Sequence, residues 1–274
     1  MRWHLTVALA ILTVTAGCTS VTGFGDAPDE AVTPAPVPTA EPRDPIPPPG
    51  ITDAGIRSVT TLSAAHRQAL TNQSYTMHER YVGTLTRGNV TTTVRRNETT
   101  SVTGIRTYRH DLDRVRTFSD GRERIYRQST YGDGQLWYER RDDGENRTFR
   151  GGEIRFGRDQ FAFEGSFYVS QYLSTNETWT TPVVRNGTQF FRVVGSGGKP
   201  PWASLLGESE VYRVSLLVDS AGLVHRLDVR YVTPSEEIRH TIWYEDVGET
   251  TVEPPAWLDE ATDRQVATNR TGGE

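Results

Sequence analysis

Residues 211–232, VYRVSLLVDSAGLVHRLDVRYV, predict two β-strands joined by a tight turn. Apolar and polar side chains alternate on both sides of residues 219–222, DSAG, which have the composition of a turn. This period of two predicts that each strand buries one face and exposes the other. The residues predicted to share a face are Tyr212, Val214, Leu216 and Val218 on the first strand, and Leu223, His225, Leu227, Val229 and Tyr231 on the second.

Further alternating segments with short turns between them extend this hairpin into a wide antiparallel sheet. Turn signals such as Arg87-Gly88-Asn89, Asp120-Gly121 and Asn186-Gly187 follow one another closely. They argue against parallel strands, because a parallel connection needs a long crossover. The predicted strands are 74–85, 90–101, 106–119, 122–130, 135–141, 147–150, 183–185, 188–194, 211–218, 223–232 and 237–245.

Two helices are predicted beside the sheet. The first is capped by Thr52 or Asp53 and runs to about Leu70, with apolar residues at helical spacing. His66 lies beside its apolar stripe and is interpreted as a packing residue rather than a ligand. The second is the short aromatic segment Ser166–Leu173. Both an ordinary helix packed on the sheet and a lid over a cavity fit this segment.

The N-terminal residues MRWHLTVALAILTVTAGC have the organisation of a secretory signal peptide. Arg2 supplies the positive charge, Leu5–Val14 is apolar, and small residues precede Cys18, the chain's single cysteine. The segment resembles a lipobox, in which the cysteine is acylated and becomes the new N-terminus after cleavage. Thr15 stands where that motif usually has an aliphatic residue. An ordinary cleaved signal peptide is the alternative.

The remainder of the chain is predicted to comprise a tether, one domain and a tail. Residues 18–50 hold nine of the 15 prolines and show no apolar periodicity, which predicts a disordered, proline-rich tether after the signal peptide 1–17. A single α+β domain follows over 51–260, and 261–274 form a polar tail. We therefore expect a domain held by lipid at the outer face of the cytoplasmic membrane.

Composition narrows the range of partners. A formal net charge of −5 is unfavourable for nucleic-acid binding, which requires a basic surface. One cysteine excludes a disulfide within the chain, so the core alone must hold the fold. Lys199 is the only lysine, and all other basic side chains are arginine. This bias is typical of proteins from salt-loving archaea, and high genomic GC content would produce it equally well.

Asn-x-Ser/Thr sequons are frequent, as expected of a secreted surface, and about half of them are predicted to carry glycan. The candidate glycosylation sites are Asn72, Asn89, Asn97, Asn146, Asn176, Asn186 and Asn269.

No catalytic or metal-binding motif is present in the sequence. Nucleotide-binding loops, HExxH, GxSxG and paired CxxC are absent, and the acidic segment 142–146 lacks the spacing of a calcium loop. His110 points away from Asp111 and Asp113 on an alternating strand, which disfavours a shared metal site. The chain is therefore predicted not to be an enzyme, and we expect it to need neither a cofactor nor a metal. A hydrolase with a dispersed Ser, His and Asp site remains a weaker alternative.

In element order, the helix, wide antiparallel sheet and interrupting aromatic helix of Ile51–Leu258 resemble the lipoprotein-carrier fold of bacterial lipoprotein chaperones and mycobacterial lipid-binding lipoproteins. The lipobox, tether and arginine-rich domain are similar to a group of haloarchaeal lipoproteins. The resemblance implies an α+β fold with a strongly curved, unclosed half-barrel sheet, an N-terminal helix and a short helix packed on or over it. It also implies a cavity for acyl chains.

The functional hypothesis is non-catalytic binding or carriage of a lipid or another apolar ligand. The same residues would form a filled core if the hypothesis is wrong. The rival is a structural or protein-interaction module of the cell envelope. The candidate cavity residues are Tyr75, Met77, Tyr81, Leu85, Phe167, Tyr168, Tyr172, Leu173, Leu227 and Val229.

Overall fold

The computed structural model describes residues 45–155, 160–173, 175–199 and 209–271, the last seven without their side chains. The signal peptide, Cys18 and most of the tether lie outside these residues. The helices are α1 (Val59–Leu70), α2 (Gln160–Tyr172) and α3 (Leu258–Thr271). The strands are β1 (Ile51–Thr52), β2 (Gly55–Ile56), β3 (Tyr75–Arg87), β4 (Val90–Val102), β5 (Thr107–Phe118), β6 (Glu123–Asp133), β7 (Leu136–Asp142), β8 (Arg147–Glu153), β9 (Thr175–Arg185), β10 (Thr188–Gly198), β11 (Val211–Asp219), β12 (Val224–Val232) and β13 (Glu236–Glu245).

Eleven strands form one antiparallel sheet in the order β8-β7-β6-β5-β4-β3-β13-β12-β11-β10-β9. The first long strand, β3, pairs with the last, β13, so the two ends of the domain meet in the middle of the sheet. The edge strands β8 and β9 do not pair with each other. The sheet is therefore curved but unclosed, and the predicted fold class is confirmed.

Helix α2 connects the two edges of this sheet, since β8 precedes it and β9 follows it. A flat sheet of 11 strands would place its edges about 48 Å apart at a spacing of about 4.8 Å. A helix of 13 residues spans only about 20 Å. Curvature brings the edges closer together and lets α2 cross one face of the sheet, which we call the inner face.

The main hydrophobic core lies between the inner face and helices α1 and α2. Alternate residues of the strands supply one side, and the buried residues of α1 and α2 supply the other. Burying such side chains contributes about 25 cal/mol for each Å² removed from water. The largest fully buried apolar side chains are Tyr75, Tyr231, Phe191, Leu62, Leu70, Leu216 and Leu227.

The opening of the domain differs from the sequence prediction. Residues 51–56 form the small hairpin β1–β2 instead of helix, and α1 begins after Ser58, whose hydroxyl accepts a hydrogen bond from the Thr61 amide at 3.2 Å. Gly55 at φ 130° turns this hairpin, a conformation that opposes helix. The end of α1 at Leu70 is as predicted.

Strand β12 corrects a second prediction, that His225 shares a face with Leu227, Val229 and Tyr231, whereas Leu223 is buried in the core. A β-bulge between Leu217 and Val218 shifts the register, so Val224 is buried and His225 turns outward. There His225 Nε2 pairs with Asp219 Oδ2 at 2.9 Å.

Two further boundaries also differ. Helix α2 begins at Gln160, six positions before the predicted Ser166. The C-terminal segment predicted as a polar tail forms α3, which packs with Trp257 on the opposite, outer face of β7 and β8. Trp257 Nε1 donates a hydrogen bond to Ser129 Oγ at 3.0 Å there. None of the described helices is long and apolar enough to cross a membrane.

Candidate functional site: a charged cluster beneath helix α2

Ionisable side chains occupy the centre of the inner face, between α2 and strands β3, β4, β5 and β13. Such groups are rarely buried unless they are paired. Glu79 and His240 are the most buried, each 2% exposed. We call this group the charged cluster, and its members are Glu79, Arg96, Glu98, His110, Glu164 and His240.

Strand register explains why these polar groups meet. Glu79 on β3 lies opposite Glu98 on β4, and directly opposed residues point to the same face. Glu79 also follows Tyr75 and Met77 at a spacing of two, so the pleat turns it inward. The sequence prediction missed Glu79, although this spacing within a predicted buried face was a signal that could have identified it.

Glu79 is a buried carboxylate with two nitrogen partners. Its Oε1 accepts a hydrogen bond from Arg96 Nη2. His240 Nε2 lies 3.0 Å from the same oxygen, in ion-pair contact rather than in well-aligned hydrogen-bond geometry. Burial is the largest single effect and raises the pKa of Glu79, but the contact with His240 and the charge of Arg96 outweigh it and lower the pKa to about 2. Glu79 is therefore ionised at neutral pH.

His240 links the charged cluster to α2. Its Nδ1 shares a hydrogen bond of 2.6 Å with the Tyr172 hydroxyl, and Tyr212 donates its hydroxyl proton to the Tyr172 carbonyl oxygen at 2.6 Å. Burial raises the pKa of both tyrosines, so both keep their protons. The C-terminal end of α2 is thus bonded to β13 and β11 through polar groups.

Glu98 differs from Glu79 although it lies beside the same arginine. Arg96 Nε is 2.7 Å from Glu98 Oε1, and His110 Nε2 is 3.4 Å from Oε2. Burial and then the negative charge of Glu79 raise the pKa of Glu98 to about 7, and Arg96 offsets this only in part. Burial also lowers the pKa of His110. Glu98 therefore exchanges a proton near neutral pH.

Helix α2 contributes a third carboxyl group, Glu164. Tyr168 donates a hydrogen bond to Glu164 Oε1 at 3.1 Å, and the Tyr168 ring packs edge-on against His240 at 5.3 Å. Burial and the charge of Glu79 raise the pKa of Glu164. Three carboxyl groups therefore share Arg96 as their permanently charged partner, and the side chain of Arg96 is 32% exposed at the margin of the charged cluster.

This arrangement favours a positioning role over a reaction centre. A general acid or base must reach its substrate within hydrogen-bond distance, and the most buried members are covered by α2. Among the residues that the structure describes, no three His, Cys, Asp or Glu side chains are placed to hold a metal ion. What the charged cluster can do is fix α2 on the sheet and respond to protons through Glu98.

The predicted cavity residues separate into three groups. The strand residues and the end of α2 belong to the packed core, and these are Tyr75, Met77, Tyr172, Leu173, Leu227 and Val229. Tyr81 and Tyr168 contact His240 of the charged cluster. Leu85 is half-buried near the end of β3, and Phe167 is exposed on α2. A cavity lined by these residues stays a prediction.

Other residues singled out in the sequence are also placed. His66 is fully buried, as a packing residue should be: its Nδ1 accepts the Val224 amide at 3.2 Å, and its Nε2 lies 3.2 Å from the Tyr244 hydroxyl. Burial, and then the charge of His225, lower the pKa of His66 to about 3. Asp111 faces outward and accepts a hydrogen bond from Ser129, on the opposite side from His110.

A small pocket of about 120 Å³ adjoins the start of α2 on the inner side of the sheet. Its lining is mixed, with Tyr108 and Trp137 on the sheet and Gln160 at the first turn of α2. On the outer face, side chains of β3 and β13 line a more open groove of about 480 Å³. Neither of these two depressions is formed by the predicted cavity residues.

No family model matches the sequence, and no curated protein matches it either. Among solved structures, a β-barrel-like protein of the DUF1849 domain from Brucella abortus is similar at a TM-score of 0.26 and 8% identity, over 65% of this chain and 98% of that one. A DUF1329 family protein from Desulfovibrio piger has a TM-score of 0.25 and 16% identity, over 75% and 97% of the two chains.

A LolA superfamily protein from Nitrosomonas europaea is similar at a TM-score of 0.22 and 6% identity, over 72% of this chain and 95% of that one. TM-scores this low do not transfer a ligand or an activity. The function of this chain has to be inferred from its own side chains.

Proposed function

We propose that the chain is a lipoprotein, held by an acylated Cys18 at the outer face of the cytoplasmic membrane, whose domain binds a lipid or another apolar ligand without catalysis. The signal peptide and the small residues before Cys18 support the anchor. Two acyl chains hold a protein far more stably than one.

The observation that carries the ligand hypothesis is the two-sided apolar character of α2. One side of the helix packs on the inner face through residues such as Phe161 and Val169. On the other side Phe163 and Phe167, one helical turn apart, are 57% and 47% exposed. Adjacent exposed aromatic rings are typical of a binding surface. A helix that covers the sheet and presents such rings is suited to be a lid.

The polar contacts of α2 also suit a lid. Glu164 and Tyr168 meet ionisable groups, and Ser63 Oγ of α1 donates to the Ser166 carbonyl oxygen at 2.6 Å. If α2 lifts from the sheet, water can hydrogen-bond to the polar groups that are separated. Water offers no such compensation to apolar surface that becomes exposed. Opening this part of the interface therefore costs less than separating an equally large apolar contact.

Mass spectrometry of co-purifying lipid tests the proposal. The full chain carrying Cys18→Ser is expected to retain lipid through a detergent-free preparation. Phe163→Ser combined with Phe167→Ser should reduce the amount. Val184→Ser, at an exposed apolar position on β9, is the matched control and should leave it unchanged. A parent protein without lipid that also takes up none from vesicles contradicts ligand binding.

The anchor has its own test. Cys18→Ser should move the protein from the detergent-extracted membrane fraction to the soluble fraction after export. If this variant partitions with membranes as firmly as the parent, acylation of Cys18 is wrong, whatever the lipid assay shows.

One observation favours the rival function, an interaction module of the envelope. Edge strand β9 has 11 residues, and Trp179 and Val184 are exposed on it. Unpaired edges are templates for an added strand. Trp179→Lys should abolish capture of a partner if this edge is the interface and leave lipid content unchanged. Unchanged capture of the partner together with a loss of lipid would instead support ligand binding.

A further inference from the structure

Four arginines lie together on the inner face beyond the charged cluster. Arg96 on β4 is opposite Arg114 on β5, and Arg116 on β5 is opposite Arg124 on β6. Directly opposed residues share a face, and Val94, opposite Arg116, is two positions from Arg96 on β4. All four guanidinium groups therefore extend from the same side of the sheet as Glu79.

Three of these arginines lack a carboxylate partner. Arg96 is paired with Glu79 and Glu98, but within the described ranges no ion pair involves Arg114, Arg116 or Arg124. All three are exposed. Directly opposed like charges destabilise a sheet, so this arrangement has a cost in the isolated domain. We call these three residues the arginine patch.

On β4, β5 and β6 this surplus of positive charge lies on the inner face, although Arg95 on the outer face also has no ion pair within the described ranges. On the outer face of the same strands, Arg127 is 3.7 Å from Asp113 and Arg109 is 2.7 Å from Asp111. The chain as a whole is acidic, with a formal net charge of −5. A surplus of positive charge at one place in an acidic chain needs a local reason, and an anionic ligand supplies one.

Aromatic rings hold two of the guanidinium groups in place. The Arg114 Cζ atom lies 4.7 Å from the centroid of the Tyr126 ring, and that of Arg124 lies 5.7 Å from the centroid of Phe118. Stacking on a ring restrains the planar group and leaves its N–H edge free to donate. Paired donors of this kind match the oxygens of a phosphate group.

We propose that the arginine patch binds the phosphate of an anionic amphiphile whose apolar part is held at α2. This inference rests on the proposed ligand-binding function and adds the chemical class of the headgroup. The phosphate could come from a lipid headgroup or from free phosphate, because the guanidinium groups make the same hydrogen bonds to both.

Calorimetric titration of the full chain with soluble short-chain lipids tests the proposal. Dihexanoyl phosphatidylglycerol should bind at least 10-fold more tightly than dihexanoylglycerol, which has the same acyl chains and no phosphate. Raising the salt concentration should weaken only the former, because salt screens exposed charges. The triple variant Arg114→Ser, Arg116→Ser, Arg124→Ser should remove the difference between the two lipids.

The matched control removes three exposed arginines from the outer face, as Arg80→Ser, Arg95→Ser, Arg213→Ser, and so changes the net charge equally. It should keep the preference for the anionic lipid. The patch variant should unfold at a urea concentration close to that of the parent, since it loses repulsion and two ring contacts but no carboxylate partner. Equal loss of binding in both triple variants would overturn the proposal, because net charge would then explain the preference.

Inorganic phosphate separates the remaining outcomes. If the parent binds phosphate but neither lipid, and the patch variant loses phosphate, the patch is an anion site and lipid binding is wrong. If the patch variant binds both lipids as the parent does, the patch inference is wrong and lipid binding stands. A parent that binds none of the three probes overturns both.

Discussion

Glu79 shows how one residue can organise a buried site. Its side chain is 1% exposed and lies against Arg96 and His240, so the negative charge is matched in place. Taking an ion out of water costs several kcal/mol, and only a good partner offsets that cost. Removing one member of such a pair leaves the other uncompensated. The cost of a substitution at Glu79 therefore reflects the loss of the charge that its buried partners face.

Glu79→Gln should lower the free energy of unfolding by about 3 kcal/mol, because Arg96 and His240 lose the charge that they face. Urea unfolding followed by tryptophan fluorescence measures it. Glu237→Gln is the matched control, since Glu237 pairs with Arg239 at 3.0 Å on the exposed outer face, and its effect should stay below about 1 kcal/mol. Similar losses in both variants would mean that the buried charge of Glu79 contributes no more to stability than the exposed charge of Glu237.

The raised pKa of Glu98 predicts how the stability of the protein depends on pH. Its pKa of about 7 lies above the ordinary value of 4.5, so the folded state holds the proton more tightly than the unfolded chain. The parent should lose stability as pH rises from about 4.5 to about 7, by up to about 3 kcal/mol. Glu98→Gln is neutral throughout and should not show this part of the loss.

Urea midpoints of the parent and of Glu98→Gln, measured at several pH values, check this prediction. The stability of the variant relative to the parent should increase up to about pH 7 and then stay constant. A difference that is independent of pH would contradict the raised pKa of Glu98.

At the scale of elements, α2 is placed by the topology of the sheet. It joins the edge strands β8 and β9, so it must cross the inner face, and its small residues set how closely it approaches. A Cβ at Gly165 would clash with the Tyr244 hydroxyl and press on His66, the residue that bonds α1 to β12. The docking of both helices therefore depends on this one close contact.

The sign of the stability change caused by Gly165→Ala tests that contact. Glycine inside a helix is less favourable than alanine by about 1 kcal/mol, so propensity alone predicts stabilisation. Overpacking against Tyr244 predicts destabilisation of about 1–3 kcal/mol instead. Thermal unfolding decides between them. Ser170→Ala on the exposed side of α2 is the control and should change stability by less than about 0.5 kcal/mol. A more stable Gly165→Ala protein would show that α2 has room to shift.

At the scale of the whole molecule, most of the sequons lie away from the surface proposed to bind a ligand. All six sequon asparagines whose side chains the structure describes are exposed. Asn72, Asn89, Asn146 and Asn186 lie in turns, and Asn97 lies on β4 opposite Asp113, on the outer face. None of these five positions lies on the inner face of the sheet, so modification there would leave that face open. Asn176 on edge strand β9 is the exception, because it shares the inner face with Thr178 and Thr180.

Glycopeptide mass spectrometry of protein secreted from a glycosylating host should find glycan at the turn sequons Asn89, Asn146 and Asn186. Asn97 should carry less, because a strand in the middle of the sheet presents its asparagine between side chains of both neighbours. Asn97→Gln should therefore leave the glycan mass almost unchanged, and Asn186→Gln should lower it. Full occupancy of Asn97 would contradict this ranking.

Much of the fold follows from local sequence. Alternation predicts strands and glycine or asparagine marks turns, because side-chain direction and backbone conformation depend on near neighbours. The hairpin at Asn186-Gly187, with φ of 50° and 78°, is as predicted. The start of α1 and the place of His225 were wrong, because a short hairpin and a bulge depend on contacts with distant parts of the chain, such as Ile56 with Thr178 of β9.

The sequence by itself determined that this chain forms a wide antiparallel sheet with one apolar face, and that an aromatic helix interrupts it. Only the tertiary structure decided that α2 joins the two open edges and that Glu79, Arg96, Glu98 and His240 meet beneath it. The physical reason is that pairing register between strands far apart in the chain places these groups side by side. Burial then sets their charges, and neither register nor burial is encoded by residue type alone.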